Sequence, residues 1–184
     1  MDDPLKDAFS SGQIGSKLWL CEQLEEAFVG IDTIWVYGGW YGLFAFLLLS
    51  RGKIQVGQIQ SFDVDPSCEP IADMINENWV WQDWQFKAYT EDCDDLEFLD
   101  GQVDLVVNTS TEHFSSLKWF DNITKGTWVA LQGADMIHDD HVFEFKSLEH
   151  FKETFPLEEI VFQGEKEFVY PDWKFKRFML IGKK

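Results

Sequence analysis

The segment Thr33-Ile34-Trp35-Val36-Tyr37-Gly38-Gly39-Trp40-Tyr41-Gly42 decides the reading of this chain. Five β-branched or aromatic residues form a buried strand, and two glycines stop it. An apolar stretch from Tyr41 to Ser50 then reads as a helix, ended by Arg51-Gly52. Gln58 to Val64 is a second strand, closed by Asp65-Pro66. Proline suits the first turn of the helix that follows, which carries Ile71, Met74 and Ile75 on one face and ends near Asn76 or Asn78. Further along, residues 84–89, 103–107 and 127–131 read as strands, and residues 115–122 and 147–154 as helices. Upstream, residues 16–28 place Leu20, Leu24 and Phe28 at helical spacing, with Ser16 as the expected N-cap.

Strand and helix alternating five times imply a parallel sheet covered on both faces. The tail differs. Residues 159–163 and 174–181 are both strand-like, with only a loop between them, so they should form an antiparallel hairpin at the sheet edge. The expected fold is α/β, a three-layer sandwich whose mostly parallel seven-stranded sheet ends in that hairpin. One domain covers residues 1–184, with 1–29 as a helical lid and 30–184 as the core.

Composition narrows the partners. Fifteen Lys+Arg against 33 Asp+Glu give a net charge of −18. Such a chain lacks the basic face that binding a polyphosphate backbone requires, so nucleic acid is not the expected partner. The same acidity could signal disorder, but 45% hydrophobic and 16% aromatic residues indicate a packed core. Cys21, Cys68 and Cys93 form no CxxC pair, which reads as reduced thiols rather than a disulfide framework or zinc site. With no signal-peptide pattern and no long apolar run, a cytoplasmic protein without a membrane partner is expected.

In an open parallel sheet the ligand lies beyond the carboxyl ends of the strands. The candidates there are the turn Gly38, Gly39, Trp40 and Gly42; Asp63, 25 positions beyond Gly38; and Glu91-Asp92 after the third strand. A glycine turn lets backbone approach a ligand closely, and an acid at the tip of the second strand can accept both hydroxyls of a ribose. An acid after the third strand can take an adenine amino proton. It lies in a run from Glu91 to Asp100 that also reads as solvated surface. Asp65, before Pro66, reads as a helix cap.

Glycine turn, ribose-type acid, adenine-type acid and terminal hairpin together resemble the class I S-adenosylmethionine-dependent methyltransferases, a Rossmann-like family. The stretches "GQIGSKLWL", "VYGGWYGL", "SFDVDP", "VVNTSTEH", "ALQGAD" and "KRFMLIG" are similar to methyltransferase-like proteins common in phage and marine metagenomic sequences. The resemblance implies S-adenosylmethionine as cofactor. Asp63 would hold its ribose, Asp92 its adenine, and Gly38 with Gly42 its methionine end. The family turn usually reads acid-x-Gly-x-Gly-x-Gly, whereas here Val36 replaces the acid and Trp40 the middle glycine. Trp40 reads either as core or as an indole face for the sulfonium cation.

The resemblance also implies that Asn108-Thr109-Ser110-Thr111-Glu112-His113 faces the acceptor. It is not the Asn/Asp-Pro-Pro-aromatic motif of amino-methylating DNA enzymes, so a small-molecule acceptor is expected. His113 is the candidate base, because imidazole titrates near neutrality, with Asn108 and Glu112 beside it. Its other reading is a histidine packing the next helix. Gln132, Asp135, His138, Asp139, Asp140 and His141 form a second polar group. Its His-x-x-His spacing matches no strong metal template, and no metal is assigned. Lys17 reads as a surface lysine, or as a partner for the cofactor carboxylate or an acidic acceptor. Two other functions share these features: a cofactor-binding module without turnover, motivated by Val36 and Trp40, and a nicotinamide-dependent oxidoreductase.

Overall fold

A computed structural model describes residues 4–82, 84–99, 101–136 and 141–184. Two helices, α1 (Pro4–Ala8) and α2 (Ser11–Ala27), precede the sheet. The sheet strands are β1 (Gly30–Tyr37), β2 (Gln55–Asp63), β3 (Phe86–Thr90), β4 (Leu105–Asn108), β5 (Trp128–Ala134), β6 (Glu159–Val169) and β7 (Lys174–Lys183). Between them lie α3 (Leu43–Arg51), α4 (Cys68–Ile75), α5 (Glu77–Gln82), α6 (Lys118–Asn122) and α7 (Leu148–Thr154). The strand order is β3-β2-β1-β4-β5-β7-β6. The first five strands are parallel, and β7 runs antiparallel to both β5 and β6. The expected sheet and its terminal hairpin are therefore present.

Strand alternation builds the two cores. Ile34 and Val36 point to one face, where Ile59, Leu105, Val107 and Met179 meet Leu20 and Leu24 of α2, Phe44 and Leu48 of α3 and Ala72 of α4. Trp35 and Tyr37 point to the other, where Val106, Val129, Phe178 and Leu180 meet Trp119 and Phe120 of α6 and Phe151 of α7. Aromatic side chains dominate this second core: Trp119, Phe120, Phe145, Phe151 and Phe155 meet with ring centroids 4.8–5.9 Å apart, mostly edge-on or tilted. Phenylalanine supplies most of these rings.

Some local expectations are corrected. Ser10, not Ser16, caps α2, with its hydroxyl accepting from Gln13 N–H. Ser16 lies inside the helix and donates to the Gln13 carbonyl at 3.1 Å. No helix joins β3 to β4 among the described residues. A turn and an irregular segment make that crossing, anchored by Cys93 and Val103 in the second core. Asp94, in what reads as a solvated acidic run, accepts from Ser116 Oγ at 2.6 Å and from Trp119 N–H at 2.9 Å, tying this segment to α6. No helix among the described residues is long and apolar enough to cross a membrane. The three cysteines are unpaired and buried, and burial pushes each thiol up to about 12, which leaves them inert at neutral pH.

Candidate functional site

Because β1 is flanked by β2 on one side and β4 on the other, the direction of winding reverses between β1 and β4, and a crevice opens at their carboxyl ends. A cavity of about 540 Å³ occupies that position. Residues 38–41 of the β1–α3 turn, Asp63, residues 92–94, Thr109, Ser110 and residues 113–116 line it, and Gln13 and Lys17 of α2 close it from the amino-terminal side. A smaller cavity of about 220 Å³, between Gly30 and Trp128, lies at the opposite, amino-terminal end of β1 and β4.

The turn is fixed from two directions. Asp63 Oδ2 accepts from Trp40 N–H at 2.9 Å, and its Oδ1 accepts from Asp65 N–H at 3.1 Å. A carboxylate offers about four lone-pair positions, so each oxygen keeps capacity for a further donor. Asn76, fully buried at the end of α4, donates to the Gly42 carbonyl at 3.2 Å. Gly42 sits at φ +72° with Asn76 Nδ2 2.6 Å from where a Cβ would stand, so only glycine fits. Trp40 occupies φ +48°, a backbone that favours glycine, and its ring stacks on Tyr41 at 5.0 Å. The turn thus holds a tryptophan in the left-handed region.

Asp65 Oδ1 accepts from Ser67 N–H at 2.8 Å, a cap-like bond just ahead of α4, and this holds its carboxyl below the usual range. Asp92 is exposed at the cavity, and its Oδ1 accepts from Asp94 N–H at 2.9 Å. Gly38, Gly39, Trp40, Asp63 and Asp92 therefore share one wall.

The other wall is built over longer range. Asn108 is fully buried; its Oδ1 accepts from Ser110 N–H at 3.0 Å, and its Nδ2 has no hydrogen-bond partner among the described residues. Glu112 is also buried, with Oε1 2.7 Å from Arg177 of β7, and neither Asn108 nor Glu112 lines the cavity. His113 does line it and is exposed. His141 stands edge-on to His113 with ring centroids 4.7 Å apart. Gln132 of β5 donates to the Ser16 carbonyl at 3.0 Å, bonding α2 to the sheet, and Asp135 accepts from Lys176 N–H at 2.7 Å. His138, Asp139 and Asp140 lie outside the described residues.

Lys17 departs from its reading as a surface lysine. It is 7% exposed, lines the cavity, and donates to Gln13 Oε1 at 2.5 Å. Burial lowers its pKa to about 7, and the Arg177 charge acts in the same direction, against Glu112 and Asp7. The residues that sequence reasoning missed are Arg177, Asn76 and Asp94. Their partners lie 65, 34 and 25 positions away, which no local pattern reveals.

No protein-family model and no curated protein matches the chain. Solved structures do. Magnesium protoporphyrin IX methyltransferase of Synechocystis PCC 6803, with bound S-adenosylhomocysteine, superposes with a TM-score of 0.69 at 10% identity, over 99% of this chain and 89% of that one. N-methyltransferase NodS of Bradyrhizobium japonicum WM9 gives 0.64 at 12% identity over 100% and 99%. A Pyrococcus horikoshii protein described as an RNA methyltransferase gives 0.67 at 12% over 95% and 84%. The chain has the fold of the class I methyltransferases.

Proposed function

We propose that this chain is an S-adenosylmethionine-dependent methyltransferase acting on a small-molecule acceptor. The observation that carries the reading is the Asp63 carboxylate. It stands at the cavity wall, already oriented by two backbone N–H groups, with lone pairs left for two ribose hydroxyls. The glycine turn beside it is seated tightly on β2, since a Cβ on Gly39 would stand 1.8 Å from the buried Ser61 Oγ. Asp92 is the acceptor for the adenine amino group, Gly38 and Gly42 shape the methionine end, and Lys17 is the cation for its carboxylate.

The cofactor supplies an electrophilic methyl on a sulfonium. The chain supplies position and, for an acceptor that must lose a proton, a base. His113 is that base, because it alone of the three candidates lines the cavity. Glu112 is held by Arg177 and Asn108 shapes the turn after β4, so both act as positioning residues. A small acceptor is supported by the ion pairing of the last strands: Lys174 bonds Glu167, Lys176 bonds Glu165, and Arg177 is buried, so the late basic residues form no open strip. The acidic surface fits a cationic or neutral acceptor better than a polyanion. One observation favours a second reading, a cofactor-binding module without turnover: the family's acid is Val36 here, and Trp40 fills the turn.

Calorimetry tests the first step. Both S-adenosylmethionine and S-adenosylhomocysteine should bind one to one, and failure of both at millimolar concentration overturns the proposal. Asp63→Ala should weaken binding by about 10–100-fold, the loss of one charge-assisted bond of about 1.5–3 kcal/mol, while Asp65→Ala should not. Methyl-labelled cofactor incubated with lysate then separates the acceptors. Label in the small-molecule fraction supports this reading, label in RNA or protein moves the acceptor class, and binding without label selects the module.

A further inference from the structure

The two histidines that meet beside the cavity share their position with a buried acid, and this set has a chemistry that methyl transfer does not need. One ligand atom each from Glu112, His113 and His141 lies within 4.8 Å of the other two. Glu112 and His113 are adjacent on the short 3₁₀ turn after β4, and His141 belongs to the segment that follows β5. Val142 and Phe143 N–H both donate to the Glu112 carbonyl, at 2.8 and 3.1 Å, which seats that segment on the turn.

We propose that Glu112, His113 and His141 form a binding site for a divalent late first-row metal ion of the Zn²⁺ type. Three details of the side chains support it. Glu112 spends Oε1 on Arg177 at 2.7 Å, and its Oε2 is buried without a hydrogen-bond partner among the described residues. A buried carboxylate oxygen left this way is costly, and a cation is the partner that compensates it best. His141 Nδ1 lies 2.7 Å from the Met136 carbonyl. A carbonyl only accepts, so Nδ1 carries the proton and the ring's lone pair is on Nε2. A histidine that donates one ring nitrogen to a backbone carbonyl is the usual arrangement of a metal ligand, and a carboxylate ligand is usually hydrogen-bonded on its other oxygen. Both second-sphere bonds are in place here.

The donor set selects the ion. Two imidazoles and one carboxylate suit zinc and its neighbours, whereas Mg²⁺ and Ca²⁺ require oxygen ligands. Bonds of about 2.0–2.2 Å bring tetrahedral ligands to roughly 3.4 Å from one another, closer than the 4.8 Å limit seen here, so the side chains must rotate inward on binding. Three protein ligands leave a fourth position open, as in catalytic rather than structural zinc sites. His113 is shared with the cavity, so an ion held here stands beside the acceptor end, and His113 is then its ligand and serves as a base only in the metal-free chain. The site does not rest on cofactor binding.

The test uses the tag-free full chain, stripped with chelator and titrated with Zn²⁺ alone by calorimetry, with metal content measured after dialysis. One equivalent should bind, and Mg²⁺ should not compete. His113→Ala and His141→Ala should each weaken Zn²⁺ at least tenfold, and His150→Ala should leave it unchanged. Glu112→Gln should weaken it about 10–100-fold. Because that variant disturbs a buried ion pair, the two histidine variants decide the matter, their side chains being exposed or half-buried. Absence of saturable binding, or binding unchanged in His113→Ala/His141→Ala, overturns the site. Failure to bind S-adenosylmethionine would overturn the methyltransferase reading and leave this one standing.

Discussion

The two walls of the cavity are built by different physics. On the β1–β2 side, the contacts join the turn after β1 to the next strand and helix: Asp63 at the tip of β2 reaches Trp40, and Asn76 at the end of α4 reaches Gly42. On the β4–β5 side, the contacts join elements remote in sequence: Arg177 reaches Glu112 and Thr109, and Gln132 reaches Ser16. The first wall is a turn held by hydrogen bonds to backbone that water partly reaches. The second is a dry polar network in which Glu112 and Arg177 are each 5% exposed or less. Local contacts on backbone tolerate side-chain change, whereas a buried charge pair does not.

The largest expected effect follows from that contrast. Arg177→Met strands the Glu112 carboxylate in the core and should cost about 3–5 kcal/mol of stability. Chemical denaturation would read this as a lower midpoint with an unchanged slope. The double variant Arg177→Met/Glu112→Gln removes the uncompensated charge and should recover much of the loss. If the single variant is as stable as the parent, the second wall is no more tightly determined than the first, and the comparison fails.

The same contrast explains what could be read from the sequence. The glycine turn, Asp63 and the C-terminal hairpin were legible because each is a short run whose residue types have few uses: glycine at a strand end, an acid at a strand tip, two strands with no helix between them. The role of Arg177 was not legible. In sequence it groups with Lys174 and Lys176, yet alternation along β7 turns its side chain inward while theirs pair with Glu167 and Glu165 on β6. Glu112 and Asn108 read as reactive because they follow a parallel strand. Nothing local reveals that one is clamped by a strand 65 residues away and the other folds back on its own turn. Lys17 looked like a surface residue for the same reason, since what buries it is the docking of α2 on the sheet. The missing helix between β3 and β4 is a failure of another kind. Alternation of strand and helix is an average habit, and Cys93 with Val103 gives this crossing its own anchors without one.

Lys17 offers a smaller effect that probes the second wall through pH. In the folded chain its ammonium loses its proton near pH 7, whereas in the unfolded chain it holds it to 10.5. Between these values the unfolded state binds more protons, so stability should rise with pH, by at most about 1.4 kcal/mol per unit. Below the lower value both states are protonated and the slope vanishes. The buried thiols act in the opposite sense only as the unfolded cysteines begin to ionise near 9, which leaves a window from about pH 7 to 8.5. The difference in unfolding free energy between wild type and Lys17→Met, measured by urea melts across that window, isolates the lysine. Parallel curves would mean that Lys17 is solvated, and the second wall would lose one of its buried charges.

The smallest effect is expected on the first wall, at Trp40. Trp40→Gly restores the glycine that the turn usually carries. Removing a side chain from φ +48° relieves about 1–2 kcal/mol of strain. Against this stand the lost stack on Tyr41, worth about 0.5–1.5 kcal/mol, and the glycine's own loss of about 0.5–1 kcal/mol in chain entropy. These nearly cancel, so the unfolding free energy should move by less than about 1 kcal/mol. The turn itself survives, because Asp63 bonds the backbone N–H of residue 40 and Asn76 bonds the carbonyl of Gly42, and neither bond needs the indole. Affinity for S-adenosylhomocysteine, which lacks the sulfonium charge, should therefore be unchanged within about threefold. If affinity for S-adenosylmethionine alone falls by tenfold or more, an increment within the roughly 0.5–2 kcal/mol of a cation–π contact, then the indole faces the sulfonium. The turn of the first wall would then hold the methionine end through a side chain, as Asp63 and Asp92 hold the ribose and adenine.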